Sequence, residues 1–102
     1  MSDPIRGKTL RWTYDDGPMA GKTFEHRFGA DGTVNFREPG QPEGDPAKYE
    51  VERISDDVHA VSYLSSHGWT LTTVLDRKTG KIVSFASNEK MLMVQHGKLA
   101  KS

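Results

Sequence analysis

The chain has 102 residues, which makes one domain with one core, at a size where roughly two thirds of the unfolded chain's surface can be buried on folding. Its 14 basic and 14 acidic residues form no block of either sign, so nothing resembles the basic stripe that a nucleic-acid partner requires. The absence of cysteine removes disulfides, thiolate nucleophiles and cysteine zinc sites. No apolar run approaches the ~20 residues of a membrane helix or supplies a signal-peptide core, so a cytoplasmic protein with no membrane partner is expected.

Strands are expected in chain order at steps of about 8–12 residues. The first reads Lys8 to Tyr14, with Leu10, Trp12 and Tyr14 on one face and Thr9, Arg11 and Thr13 on the other, and Asp15-Asp16-Gly17-Pro18 ends it. The second, Lys22 to Phe28, places Phe24, His26 and Phe28 together. Ala30-Asp31-Gly32 then turns tightly into Thr33 to Arg37, where Val34 and Phe36 share the apolar face. The segment Glu38 to Pro46, rich in proline and glycine and without an apolar residue, must be a surface loop and is a candidate lid. Ala47 to Ile54, Val58 to Ser65, Trp69 to Asp76 and Lys81 to Ser87 follow, joined by short turns. Asn88 to His96 is ambiguous, because Met91-Leu92-Met93-Val94 is continuously apolar; it reads as an eighth strand, with a short helix as the alternative.

These segments describe an all-β meander. Closing it into a small antiparallel up-and-down barrel of about eight strands, lipocalin- or calycin-like, pairs every edge and encloses room for one small ligand.

Motifs that suggest chemistry yield to plainer readings. Gly17-Pro18-Met19-Ala20-Gly21-Lys22-Thr23 looks like a phosphate-binding loop but is one residue short and leads into a strand instead of a helix. His26, His59, His67 and His96 show no metal-ligand spacing, so no metal is expected. His26 lies among apolar neighbours and His67 sits in a turn. Asp15/Asp16 and Asp56/Asp57 are turn residues, and no Gly-x-Ser-x-Gly elbow exists around Ser62, Ser65 or Ser66.

What remains is the expected inner face: Trp12, Tyr14, Phe24, His26, Phe36, Tyr63, Ser65 and Thr73. Filling a core calls for Leu, Ile and Val. Buried Tyr, His and Ser each need a hydrogen-bond partner, and such a mixture is the usual lining of a ligand pocket.

The order of Gly7-x-x-Leu10-Arg11-Trp12-Thr13-Tyr14-Asp15-Asp16-Gly17, then Tyr49-Glu50-Val51-x-x-Ile54-Ser55-Asp56-Asp57-Val58-x-x-Val61-Ser62-Tyr63, then Phe85-Ala86-Ser87-Asn88-Glu89 and Gln95-His96-Gly97 resembles the MoaF-like family. More distantly the outline resembles the bacterial phenolic acid decarboxylases, cofactor-independent calycin-type barrels. Their resemblance implies a site made of two tyrosines on the first strand that hold a carboxylate, with an arginine and a glutamate at the phenol end. In this sequence Trp12 stands for the first tyrosine and Tyr14 for the second, Ser65 stands for the glutamate, and the stretch Gly40 to Pro46 that would carry the arginine has none. That decarboxylation is therefore not expected, although the cavity is.

The expected function is binding of a small hydrophobic or aromatic molecule without a cofactor. The alternative is a cofactor-independent lyase or isomerase with Tyr14 or Tyr63 as proton donor and His26 as base. A third reading is an interaction module whose barrel is filled. The resemblance to the decarboxylases implies a homodimer, for which outward Val83 and Phe85 or the Met91 to Val94 run could supply the contact.

Overall fold

Alternation of apolar and polar side chains gives each strand one inward face, and the inward faces meet around a common axis. The computed structural model describes residues 4–100. Its elements are β1 (Thr9–Tyr14), β2 (Thr23–Phe28), β3 (Thr33–Arg37), β4 (Ala47–Arg53), β5 (Val58–Leu64), β6 (Thr70–Asp76), β7 (Lys81–Ser87) and β8 (Leu92–Leu99). Each strand pairs antiparallel with its sequence neighbours and β8 returns to β1, so the sheet closes into an eight-stranded up-and-down barrel. Among the described residues no helix is long and apolar enough to cross a membrane.

The last strand corrects the sequence reading. It starts at Leu92 and continues to Leu99, because Asn88 folds the preceding residues into a turn: its side-chain oxygen accepts from the backbone N–H of Lys90 at 2.8 Å and of Met91 at 2.7 Å. The apolar run is then split by the pleat. Leu92 and Val94 point outward, while Met93 faces the barrel interior.

Closure depends on a glycine. At the β1–β8 seam Tyr14 pairs with Gly97, and a Cβ at position 97 would lie 2.2 Å from the Thr13 carbonyl oxygen. Only a residue without a side chain lets the two backbones approach this closely.

The two ends of the barrel differ. At the end where β1 begins, Ile5 is fully buried in the core cluster with Phe28, Val34 and Tyr49, and the chain is held there by Gly7 N–H donating to the Phe28 carbonyl at 2.8 Å. Tyr49 Oη donates to the Gly29 carbonyl at 2.7 Å in the same region. Ile5 was not marked by any periodicity, since it stands alone before Gly7. The opposite end, where β1 runs into its loop, is the open one.

Outside the wall, Glu25 on β2 is bridged by Arg11 of β1 and Arg37 of β3, and these guanidiniums hold its carboxyl below the ordinary glutamate range. The loop 38–46 lies against this outer surface, pinned by the Arg27–Glu43 ion pair and by Asn35 donating to the Gly44 carbonyl. It contributes no residue to the cavity, so the lid expected there is not formed by this segment.

Candidate functional site

A cavity of about 550 Å³ occupies the open end of the barrel, within the range of roughly 300–1,000 Å³ typical of small-molecule sites. Of the residues expected on the inner face, Tyr14, Phe24, His26, Phe36, Tyr63 and Ser65 line it. Trp12 and Thr73 are not part of the lining. They are buried beneath it in a hydrogen-bonded floor: Trp12 Nε1 donates to Tyr14 Oη at 3.1 Å, Tyr14 Oη donates to Ser84 Oγ at 3.0 Å, and Ser84 and Thr73 share a hydrogen bond of 2.8 Å. The Tyr14 hydroxyl is thus already using its proton inside the protein.

The centre of the site is His26. It projects inward from β2, stacks on Trp12 with ring centroids 4.0 Å apart and planes inclined by 17°, and lies beside Phe36 at 5.8 Å. Its Nε2 is 3.0 Å from Tyr63 Oη of β5, a contact across the barrel between residues far apart in the chain. Burial among these rings lowers the His26 pKa to about 3, because the imidazolium would have no water and no counter-ion. Burial, and then the proximity of Tyr14, pushes the Tyr63 phenol up from its ordinary value. The pair is therefore a hydrogen bond between two neutral groups. His26 Nδ1 is buried and has no hydrogen-bond partner from the protein.

The rest of the wall was not singled out by the sequence reading. Leu71, Ala86, Met93 and Gln95 line the cavity from β6, β7 and β8, and Trp69 and His67 line its mouth from the β5–β6 turn. The pleat carried a signal for several of them: Trp69 and Leu71 share the parity of buried Thr73 and Leu75, and Ala86 that of buried Ile82 and Ser84. Ser65 Oγ accepts from the Trp69 backbone N–H at 3.2 Å and so shapes this turn.

Met19 reaches the cavity from the β1–β2 loop, which β8 holds over the mouth by several hydrogen bonds, among them the Asp15 N–H donating to the His96 carbonyl at 2.7 Å. Gln95 Oε1 accepts from the Met19 N–H at 2.9 Å, and Asp16 accepts from the His96 backbone N–H at 2.7 Å while its second oxygen lies 2.9 Å from His96 Nδ1. The bond from the His96 backbone N–H leads in holding the Asp16 carboxyl below its usual range. Gln95, His96 and Gly97 thus act on one end of the molecule, two as clasps and one as the seam.

A second, larger groove of about 970 Å³ lies at the far end, where exposed Arg11, Arg77, Lys78, Lys81 and Lys98 surround Leu10 and Leu99. Among the described residues no group of three or more His, Cys, Asp or Glu side chains converges as a metal site.

An eight-stranded antiparallel up-and-down barrel with an aromatic-lined pocket at one end defines the structural class. Within that class, the profile of the MoaF N-terminal domain matches residues 1–90, and the chain belongs to that family. No curated protein matches the chain. Its fold is similar to the crystal structure described as a "putative beta-lactamase" from Burkholderia vietnamiensis, with a TM-score of 0.77 and 20% identity over 98% of this chain and 97% of that one. At that identity the likeness concerns the fold.

Proposed function

We propose that this protein binds a small hydrophobic or aromatic molecule in the cavity at the open end of the barrel. The observation that carries the reading is the composition of the wall: apolar and aromatic side chains surround one buried polar pair, His26 and Tyr63, whose remaining ring nitrogen lacks a protein partner. A barrel filled for stability alone would not leave such a pair at the edge of a cavity. Native mass spectrometry of the purified protein, compared with the same sample after denaturation, tests the reading. A released organic mass is expected, and a protein that carries none and takes up none on incubation with apolar compounds contradicts it.

The 3.0 Å contact also favours a second reading, a cofactor-independent lyase or isomerase in which His26 and Tyr63 exchange protons with a substrate. Their electrostatics weigh against it, since a histidine lowered to about 3 is a weak base and a phenol raised by burial is a weak acid. The structural neighbour's description brings no support for hydrolysis here: among the described residues no lysine or carboxylate lines the cavity beside Ser65. The decarboxylase-like arrangement is equally unsupported, because Tyr14 donates its proton to Ser84 and has none for a carboxylate.

We propose a second copy of this chain as the partner of the outer face of β5–β8. Two cross-strand rows there, Ser62–Thr72–Phe85–Val94 and Leu64–Thr70–Ser87–Leu92, carry no charge, and Leu64, Phe85, Leu92 and Val94 are exposed. An uncharged patch of this kind can meet its own two-fold copy without like-charge repulsion. Light scattering at micromolar concentration should give a dimer mass; a monomer overturns this assignment.

A further inference from the structure

The cavity wall is polar in places but carries no fixed charge. Among the described residues no Asp, Glu, Lys or Arg lines it. Several charged side chains of the adjoining strands and loops are paired with one another: Arg11 and Arg37 with Glu25, Lys22 with Glu38, and Asp16 with His96. Of the two histidines, His67 is exposed at the mouth, while His26 is buried and kept neutral by its surroundings. An ionised ligand entering here would lose hydration and meet no counter-ion to replace it.

Hydrogen-bonding capacity, by contrast, is supplied by neutral groups, the Gln95 amide on β8 among them. Tyr63 Oη, the His26 ring and Ser65 Oγ belong to the wall, and His26 Nδ1 has no protein partner. Phe24, Phe36, Leu71 and Met93 offer only apolar and ring surfaces. Tyr14, the one other phenol of the wall, has committed its proton to Ser84 and can only accept.

We propose that the cavity selects uncharged ring-bearing molecules with a hydroxyl or carbonyl group and rejects the carboxylate and ammonium compounds of the same skeleton. This rests on the cavity-binding reading above. It also separates the site from one built to hold an aromatic acid.

Isothermal titration calorimetry of the full chain with 2-naphthalenemethanol, 2-naphthoate and 2-naphthylmethylammonium tests it. The three probes share one skeleton and differ in charge. The titrations are run at pH 8, above the ordinary histidine range. Salt of about 0.3 M screens the exposed cationic groove at the far end, so that it does not hold the anion. The alcohol should bind about a hundredfold more tightly than either ion, a ratio that corresponds to about 2.7 kcal/mol. An affinity for naphthoate or the ammonium within tenfold of that for the alcohol overturns the charge selectivity while leaving cavity binding in place. Failure of all three to bind overturns the cavity reading and this inference with it.

Discussion

His26 Nε2 and Tyr63 Oη meet at 3.0 Å across the barrel, joining β2 to β5 through a buried polar contact that borders the cavity. Replacing Tyr63→Phe leaves the imidazole without its partner. The variant should stay folded, lose about 1–3 kcal/mol in urea denaturation, and bind a neutral aromatic probe several-fold more weakly. Unchanged stability and affinity would show that the pair contributes to neither.

The same histidine sets a pH dependence. Its folded-state pKa is depressed from 6.5 to about 3, so between those values the unfolded chain binds a proton that the folded chain refuses. Stability should therefore fall as pH drops below about 6.5, by at most roughly 1.4 kcal/mol per pH unit from this group. Carboxylates with lowered pKa, such as Glu25 and Asp31, add their own losses only further down, below about 4.5. Chemical denaturation between pH 7 and 5 should show the slope in the wild type and a shallower one in His26→Phe. Identical slopes would contradict the assignment.

Tyr14 and Tyr63 both line the cavity, but their hydroxyls serve different ends. Tyr14→Phe removes the link between Trp12 and Ser84 in the buried floor, with an expected cost of about 1–3 kcal/mol in stability and little change in probe affinity. A large affinity loss with stability intact would mean that Tyr14 contacts the ligand through its hydroxyl.

Gly97→Ala places a methyl group against the Thr13 backbone, which cannot swing aside as a side chain could. The seam must open, and the expected loss is about 2 kcal/mol or more. A thermal midpoint equal to the wild type would show that β1 and β8 are not held at the spacing described.

Gln95→Ala removes the acceptor that holds the Met19 N–H over the mouth. Amide exchange at Met19 and its neighbours should quicken at least about tenfold while core amides of β5 and β6 remain unchanged. Uniform acceleration would indicate global destabilisation.

The strands and their faces were legible because alternation is strong in Leu10-Arg11-Trp12-Thr13-Tyr14 and Phe24-Glu25-His26-Arg27-Phe28, and closure followed from the need to pair every strand edge. Alternation reports face, not depth. It put Trp12 and Thr73 in the same class as Phe24 and Phe36, although the first two lie in the floor and the others in the wall. Contacts made by single residues over long sequence separations left no periodic trace. Met19 with Gln95, Asp16 with His96 and the buried Ile5 are of this kind. The Met91 to Val94 run was ambiguous for a local reason: hydrophobicity outside the barrel masks the pleat inside it.

The central claim is that the open end of the barrel is a ligand cavity, and titration of a neutral solvatochromic dye such as Nile red into the wild type and into Ala86→Phe tests it most directly. Ala86 faces the cavity from β7, so a phenyl ring there fills the space without disturbing the outer surface. The account predicts saturable one-to-one binding to the wild type, and at least about tenfold weaker binding to a variant whose circular dichroism and thermal midpoint are retained. Absence of saturable binding, or equal binding by a folded Ala86→Phe, would contradict it.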